Sequence, residues 1–150
     1  AMGNAFMTVV AAELVADDFH ARHHARSKLY RYQIWNAARP SPLRLPRSWW
    51  VKPALDTAAM QAAGTLLLGT HDFASFQALG SDVSSTRRTL TRCDVLARPG
   101  ASEPDARGEV EIHVEGSGFL RHMVRILAGT LVQVGTGRRE PARFASCERC

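Results

Sequence analysis

The sequence predicts an α+β fold, a mostly antiparallel β-sheet with helices packed on one face. Three observations carry that expectation. Stretches 29–35 and 109–115 alternate with the period of two that a half-buried strand requires. Two other stretches, one starting at Asp56 and one running from Phe119, space their apolar residues as a helix does. The resulting order, β, β, α, β, β, α, fits an antiparallel sheet with helices to one side better than the strand–helix alternation of a parallel fold.

Taken in order, the apolar, β-branched residues from Phe6 to Val15 predict a first strand. In the second strand Tyr30, Tyr32 and Ile34 face one way, and Leu29, Arg31, Gln33 and Trp35 the other. Pro40, Pro42 and Pro46 then break regular structure, so 36–50 is expected to be an extended loop. Asp56 can cap a helix running through Met60, Ala63 and Leu67 and stopping near Gly69. Phe73 and Phe76, which follow it, are candidate core anchors.

Residues 88–97 alternate Thr, Cys and Val against Leu, Arg and Asp, and Val110, Ile112 and Val114 oppose Glu109, Glu111, His113 and Glu115. The polar stretch 98–108 joins these strands as a hairpin with a mobile tip. Phe119, Met123, Ile126, Leu127, Thr130, Leu131 and Val134 mark one stripe of a last helix ending at Gly135. Arg121 and Arg125, four apart, are expected to share its outer face, and Gly116 and Gly118 to turn the chain tightly into it.

At 150 residues the chain suffices for one domain with a core. No apolar run approaches the roughly 20 residues needed to span a bilayer, and no basic region followed by an apolar stretch opens the chain. A cytoplasmic protein without membrane association is expected. Cys93, Cys147 and Cys150 are an odd set, and the terminal C-x-x-C lacks a second pair at zinc-finger spacing. His20, His23 and His24 lie together but not at i, i+4 spacing and without a nearby acid, so no metal site is expected. No phosphate loop, dinucleotide fingerprint, zinc-protease helix or nucleophile elbow appears.

Charge says more. The net charge is +5 and the pI near 9.7, which suits an anionic partner. Between Asp18 and Asp56 there is no acid but eight cationic residues, Arg22 to Lys52, and the stretch between Glu115 and Glu140 holds Arg121, Arg125, Arg138 and Arg139. Of the 19 cationic residues only Lys28 and Lys52 are lysines. Arginine forks onto phosphates and stacks on bases, so the bias favours nucleic acid.

Four blocks then carry a resemblance. Asp18-Phe19-His20-Ala21-Arg22, Lys28-Leu29-Tyr30-Arg31-Tyr32, Gly69-Thr70-His71-Asp72-Phe73-Ala74-Ser75-Phe76 and Gly118-Phe119-Leu120-Arg121-His122-Met123-Val124-Arg125 are similar, in order and spacing, to the tRNA pseudouridine synthase A family. Arg88-Thr89 with Arg92 fits the arginine-bearing strand between them, and the resemblance runs from about Val9 to Pro141. It implies the C-terminal half of a pseudouridine synthase-like catalytic domain, an isomerase that uses no cofactor and no metal. The implied substrate is a uridine on the 3′ side of the tRNA anticodon arm, and the implied assembly a homodimer. Tyr30 resembles the tyrosine that stacks on the target uracil and assists proton removal from C5. Arg125 resembles the basic partner of the nucleophilic aspartate, holding it ionised. Phe19, His20 and Arg22 resemble the signature leading into the RNA-binding strand, and Arg121 and His122 are expected at the substrate.

The family's nucleophile lies in an Arg-Thr-Asp motif upstream of these blocks. None of Asp17, Asp18, Asp56, Asp72, Asp82, Asp94 and Asp105 sits in that context, and residues 143–150 do not match the family's continuation. The expectation is therefore one domain truncated at both ends, without the nucleophile-bearing portion, binding RNA but inactive alone. A noncatalytic RNA-binding module of the same fold is the alternative, and the coding sequence upstream would discriminate the two. A metal enzyme built on the three histidines is a third reading, which elemental analysis would exclude.

Overall fold

A computed structural model describes residues 9–80, 83–98 and 106–141. Its elements are β1 (Lys28–Ala37), β2 (Trp49–Val51), α1 (Thr57–Thr65), β3 (Gly69–Asp72), a 3₁₀ turn (Ala74–Phe76), β4 (Arg87–Arg98), β5 (Ala106–Gly116) and α2 (Met123–Gly135). The five strands form one sheet in the order β2-β1-β5-β4-β3. Every pairing is antiparallel except β1 with β2. The α+β architecture with a mostly antiparallel sheet is the one the sequence predicts.

Alternation sets the two faces. Val110, Ile112 and Val114 of β5 are buried with Ile34, Leu90, Cys93 and Val95 from the neighbouring strands. Met60 and Ala63 of α1 and Met123, Leu127 and Leu131 of α2 close over them. Both helices thus share one face of the sheet. Asp56 caps α1 as its position predicts, accepting from the Ala59 N–H at 2.9 Å, and its own N–H reaches the Gly135 carbonyl at 2.8 Å, tying the start of α1 to the end of α2. Phe73 and Phe76 are core residues, 1% and 6% exposed.

Other expectations fail for identifiable reasons. Residues 9–15 form no strand, and Val9, Val10 and Leu14 lie open to solvent; strand propensity yields nothing unless a partner strand pairs with the segment. Residues 6–8 lie outside the described residues. The proline-rich stretch 36–50 is not wholly irregular, since Trp49 opens β2. The buried Asn36 amide holds the chain just beyond, donating to the Val51 carbonyl at 2.8 Å and to the Pro53 carbonyl at 2.6 Å. Strand β3 begins at Gly69, where the first helix was expected to stop. Both strands are too short for periodicity to reveal.

In β4 the register shifts between Leu90 and Arg92. That bulge flips the phase, so Leu90 is buried alongside Cys93 and Val95 instead of opposing them. Beyond the end of β3, Gln61 of α1 completes the open edge of β4. Its amide donates to the Cys93 carbonyl at 3.2 Å and accepts from the Val95 N–H at 2.6 Å. The Cys93 thiol is pushed up to about 12 by burial and then by the Asp94 charge, so it stays a protonated, unreactive packing group. Cys147 and Cys150 and the hairpin tip at 99–105 lie outside the described residues.

Helix α2 starts at Met123, four residues later than the stripe from Phe119 suggests. Gly116 and Gly118 do not have the positive φ of a tight glycine turn. Gly116 is instead demanded by close approach: a Cβ there would sit 2.5 Å from the Thr89 carbonyl oxygen of β4. No helix among the described residues is long and apolar enough to cross a membrane.

Two glycine substitutions should therefore act in opposite directions. Gly116→Ala must push β4 and β5 apart and should cost about 1–3 kcal/mol. Gly129→Ala in α2 meets nothing within 4 Å and should gain about 0.5–1 kcal/mol from helix propensity. Urea unfolding midpoints followed by circular dichroism check both signs.

Candidate functional site

The candidate site is a groove of about 290 Å³ between β1 and the start of α2, lined by Tyr30, Tyr32, Phe119, Leu120, His122, Met123, Val124 and Arg125. Tyr30 and Tyr32 reach it because β1 is registered on β5 with Tyr30 opposite Val114 and Tyr32 opposite Ile112. Facing positions on paired strands share a side of the sheet, so both rings lie on the helix side. Tyr30 stays 48% exposed, and Phe119 meets it edge-on with ring centroids 5.1 Å apart. The ring is thus braced while much of its surface stays open.

Arg125 enters from the first turn of α2. The N-cap of that helix is His122 at φ 57°, in the left-handed region. Among the described residues it is the one non-glycine with positive φ, a conformation costing about 1–2 kcal/mol. No side chain caps the helix start, so the positive end of the helix dipole faces the groove beside the Arg125 guanidinium. Arg125 has no ion-pair partner among the described residues, and no carboxylate lines the groove. An anion fits there.

The structure brings together Tyr30, His122 and Arg125, and it leaves the other sequence-predicted residues elsewhere. Arg121 does not share a helical face with Arg125, because it precedes α2 in a turn. Its Nη1 donates to the Gly80 carbonyl at 2.8 Å, and its own carbonyl accepts from the Ala78 N–H at 3.1 Å. Phe19, His20 and Arg22 sit in an exposed turn ahead of β1, where the His20 ring accepts from the Arg22 and His23 N–H groups at 3.3 Å each. His20 and His23 have ring centroids 4.2 Å apart, and no group of three metal-binding side chains exists among the described residues. In the Gly69–Phe76 block, Asp72 accepts from the Thr86 hydroxyl at 2.6 Å and from the Ala74 N–H at 3.0 Å. Those two bonds hold its carboxyl below the usual range, so Asp72 pins a turn.

Sequence reasoning missed Phe119 as the brace of Tyr30, having placed it on the helix, and missed the strained His122 backbone, for which the sequence carries no signal. It also missed a charge centre on the opposite face of the sheet. Glu111 is 4% exposed and accepts from His113 Nε2 at 2.9 Å and from the Gln33 amide at 3.5 Å. Arg31 and Arg98 each lie 3.9 Å away. Burial pushes its carboxyl up, but His113, Gln33, Arg98 and Arg31 together outweigh that and hold it below the usual range.

Comparison with known proteins gives a consistent picture. A family profile described as tRNA pseudouridine synthase matches residues 63–147, more than half of the chain. The tRNA pseudouridine synthase A of Syntrophotalea carbinolica is 47% identical over 130 residues, covering 87% of this chain and 48% of that protein. The corresponding protein of Myxococcus xanthus is 44% identical over 140 residues, 93% of this chain and 50% of that one. tRNA pseudouridine synthase A 2 of Clostridium tetani is 38% identical over 148 residues, 96% and 56% respectively. The chain spans about half the length of the curated relatives it matches.

The Glu111 centre makes stability pH-dependent with a definite sign. A carboxyl held low in the folded state stabilises above its unfolded value, about 4.3, and that contribution is lost as pH falls through the folded value. Unfolding free energy should fall below about pH 4.3, and Glu111→Gln should flatten the decline. Urea titrations at a series of pH values test this; an unchanged slope in Glu111→Gln refutes it.

Proposed function

The chain belongs to the tRNA pseudouridine synthase family, and from that premise we propose that it is the RNA-facing, C-terminal half of such an isomerase, receiving a flipped-out uridine of the tRNA anticodon arm in the groove of Tyr30, His122 and Arg125. The observation that carries the reading is the co-location of a half-open tyrosine ring and an arginine without an ion-pair partner among the described residues, at an uncapped helix start. A uracil is planar and stacks on an aromatic face. A base within a paired stem must leave the stack before any chemistry reaches it.

The reaction breaks the bond between N1 of uracil and C1′ of the ribose, turns the base and joins C5 to C1′, with the C5 proton leaving. An attacking carboxylate is required, and the described part of this groove holds none. On this reading the attacker is an aspartate contributed by the rest of the full-length protein, with Arg125 as its ion-pair partner. An arginine fork fixes a carboxylate in two places and keeps it ionised. The braced Tyr30 ring takes the base and stands where the C5 proton departs. The same reading has the full protein acting in the cytoplasm as a homodimer and using neither cofactor nor metal.

Three outcomes are expected. The 150-residue chain alone forms no pseudouridine from an anticodon-arm RNA; product from it refutes the missing-attacker reading. It still binds that RNA, with a log–log salt slope close to one unit for each neutralised phosphate, and a flat salt response rejects phosphate-led binding. In the full-length protein Arg125→Ala should abolish most turnover while leaving affinity nearly intact, and Arg125→Lys should keep partial activity because it loses the fork but not the charge. Normal single-turnover rates for Arg125→Ala at saturating RNA would return Arg125 to an ordinary surface arginine. A protein that binds RNA but gives no product even at full length is a noncatalytic module.

A further inference from the structure

We propose that a second groove, next to the first and separated from it by Arg125 and Tyr32, is a stacking subsite for the nucleotide adjacent to the target uridine, with Trp49 as its platform. The inference rests on the RNA-binding reading above and adds a residue and a location to it. The groove encloses about 620 Å³ and is lined by Arg47, Trp49, Arg125 and Gly129, among others. That size is within the range of small-ligand sites. Tyr32 and Arg125 line both grooves, so a strand with one base on Tyr30 has its neighbour at this opening.

The origin of the groove lies in the sheet. Strand β2 pairs only with Ile34, Trp35 and Asn36 of β1. The edge of β1 before Ile34 is left uncovered on that side, and Trp49 stands at the point where cover begins. Trp49 is 40% exposed, and its ring stands at 89° to the Tyr32 ring, with centroids 6.3 Å apart. A large aromatic group held rigid yet left open loses little entropy when a base stacks on it. Arg47 and Arg125 have no carboxylate partner among the described residues, so the groove offers two uncompensated cations to a phosphate.

Gly129 supplies the last observation. It lines the groove from α2, and a Cβ built there meets nothing within 4 Å. Helix propensity alone disfavours glycine at that position, and the local packing does not require it. What the glycine preserves is open space opposite Trp49. An ordinary solvated surface explains a stray tryptophan or a stray arginine. It does not account for a braced indole, two free cations and an unfilled helical position around one cavity that adjoins the tyrosine groove.

The test uses the 150-residue chain and anticodon-arm RNAs carrying 2-aminopurine on one or the other side of the target uridine. Wild type should quench the fluorescence of one of the two labelled RNAs on binding. Trp49→Ala should abolish that quench and weaken binding about five- to 150-fold, the range lost with a single base–aromatic stack. Gly129→Leu should block the subsite without touching Trp49, losing the quench with the helix retained. Arg47→Gln should lower the log–log salt slope by close to one unit. If Trp49→Ala fails to fold, Trp49→Phe replaces it, and weaker quenching with unchanged circular dichroism is the expected result. RNA binding that is unaffected by Trp49 and Gly129 variants but weakened by Tyr30→Ala overturns the subsite and leaves the proposed function standing. No RNA binding by the wild-type chain overturns both.

Discussion

Strand β5 decides which side of the sheet every candidate functional side chain occupies. Its inward residues Val110, Ile112 and Val114 are at most 4% exposed, and a slip of one position would turn all three into solvent. That makes its register with β1 costly to change. Because Tyr30 and Tyr32 stand opposite Val114 and Ile112, the side of the sheet they occupy is fixed by core burial. Arg125 is fixed by the same core from the other side, since Met123 and Leu127, two residues to either side of it, are fully buried beneath the helix. The groove is the gap left where these two packed elements diverge.

The outer face obeys the same alternation with opposite chemistry. Glu111 and His113 point away from the helices, yet Glu111 is buried there by its own neighbours. A buried carboxylate is tolerated only when its oxygens are occupied, and Glu111 has His113 and Gln33 in hydrogen-bond contact and Arg31 and Arg98 nearby. Trp35, on the same face, is 2% exposed and lies under the Arg44 guanidinium at 4.3 Å. The loop between β1 and β2 therefore covers part of this face with an arginine while its far end delivers Trp49 to the groove.

Legibility in the sequence followed the range of the forces involved. The alternation of 29–35 and 109–115 and the Asp56 cap are local signals: both strands form there, and α1 starts at its cap but ends at Thr65, before the Leu67 that its spacing includes. The two edge strands, of three and four residues, exist through pairing with distant partners and have no pattern of their own. The bulge in β4 inverted a correctly read alternation, because Leu90 and Cys93 reach the same face only when one residue between them is unpaired. Arg121 and Arg125 looked alike at four-residue spacing, and only the left-handed backbone at His122, invisible to periodicity, separates a turn residue from a helical one. Residues 9–15 had the composition of a strand, and none of the described strands pairs with them. Of the candidate site, Tyr30, His122 and Arg125 came from family resemblance, whereas the role of Trp49 came from packing alone.

The groove region carries costs that the fold does not relieve. His122 holds a backbone conformation worth about 1–2 kcal/mol of strain, Gly129 forgoes close to 1 kcal/mol of helix propensity, and Arg47 and Arg125 face one cavity with no counter-charge among the described residues. Natural domains are stable by only about 5–15 kcal/mol, so these are not negligible sums. Elsewhere Glu111, Asp72 and Asn36 are well supplied with partners, although Trp35 Nε1 and His113 Nδ1 are buried without one among the described residues. Unrelieved strain, unfilled space and unpaired charge coincide along one line from Tyr30 past Arg125 to Trp49. A polyanion with unstacked bases would offset the unpaired charge and the open space, because its phosphates neutralise the guanidinium groups and its bases fill the cavities against the exposed rings.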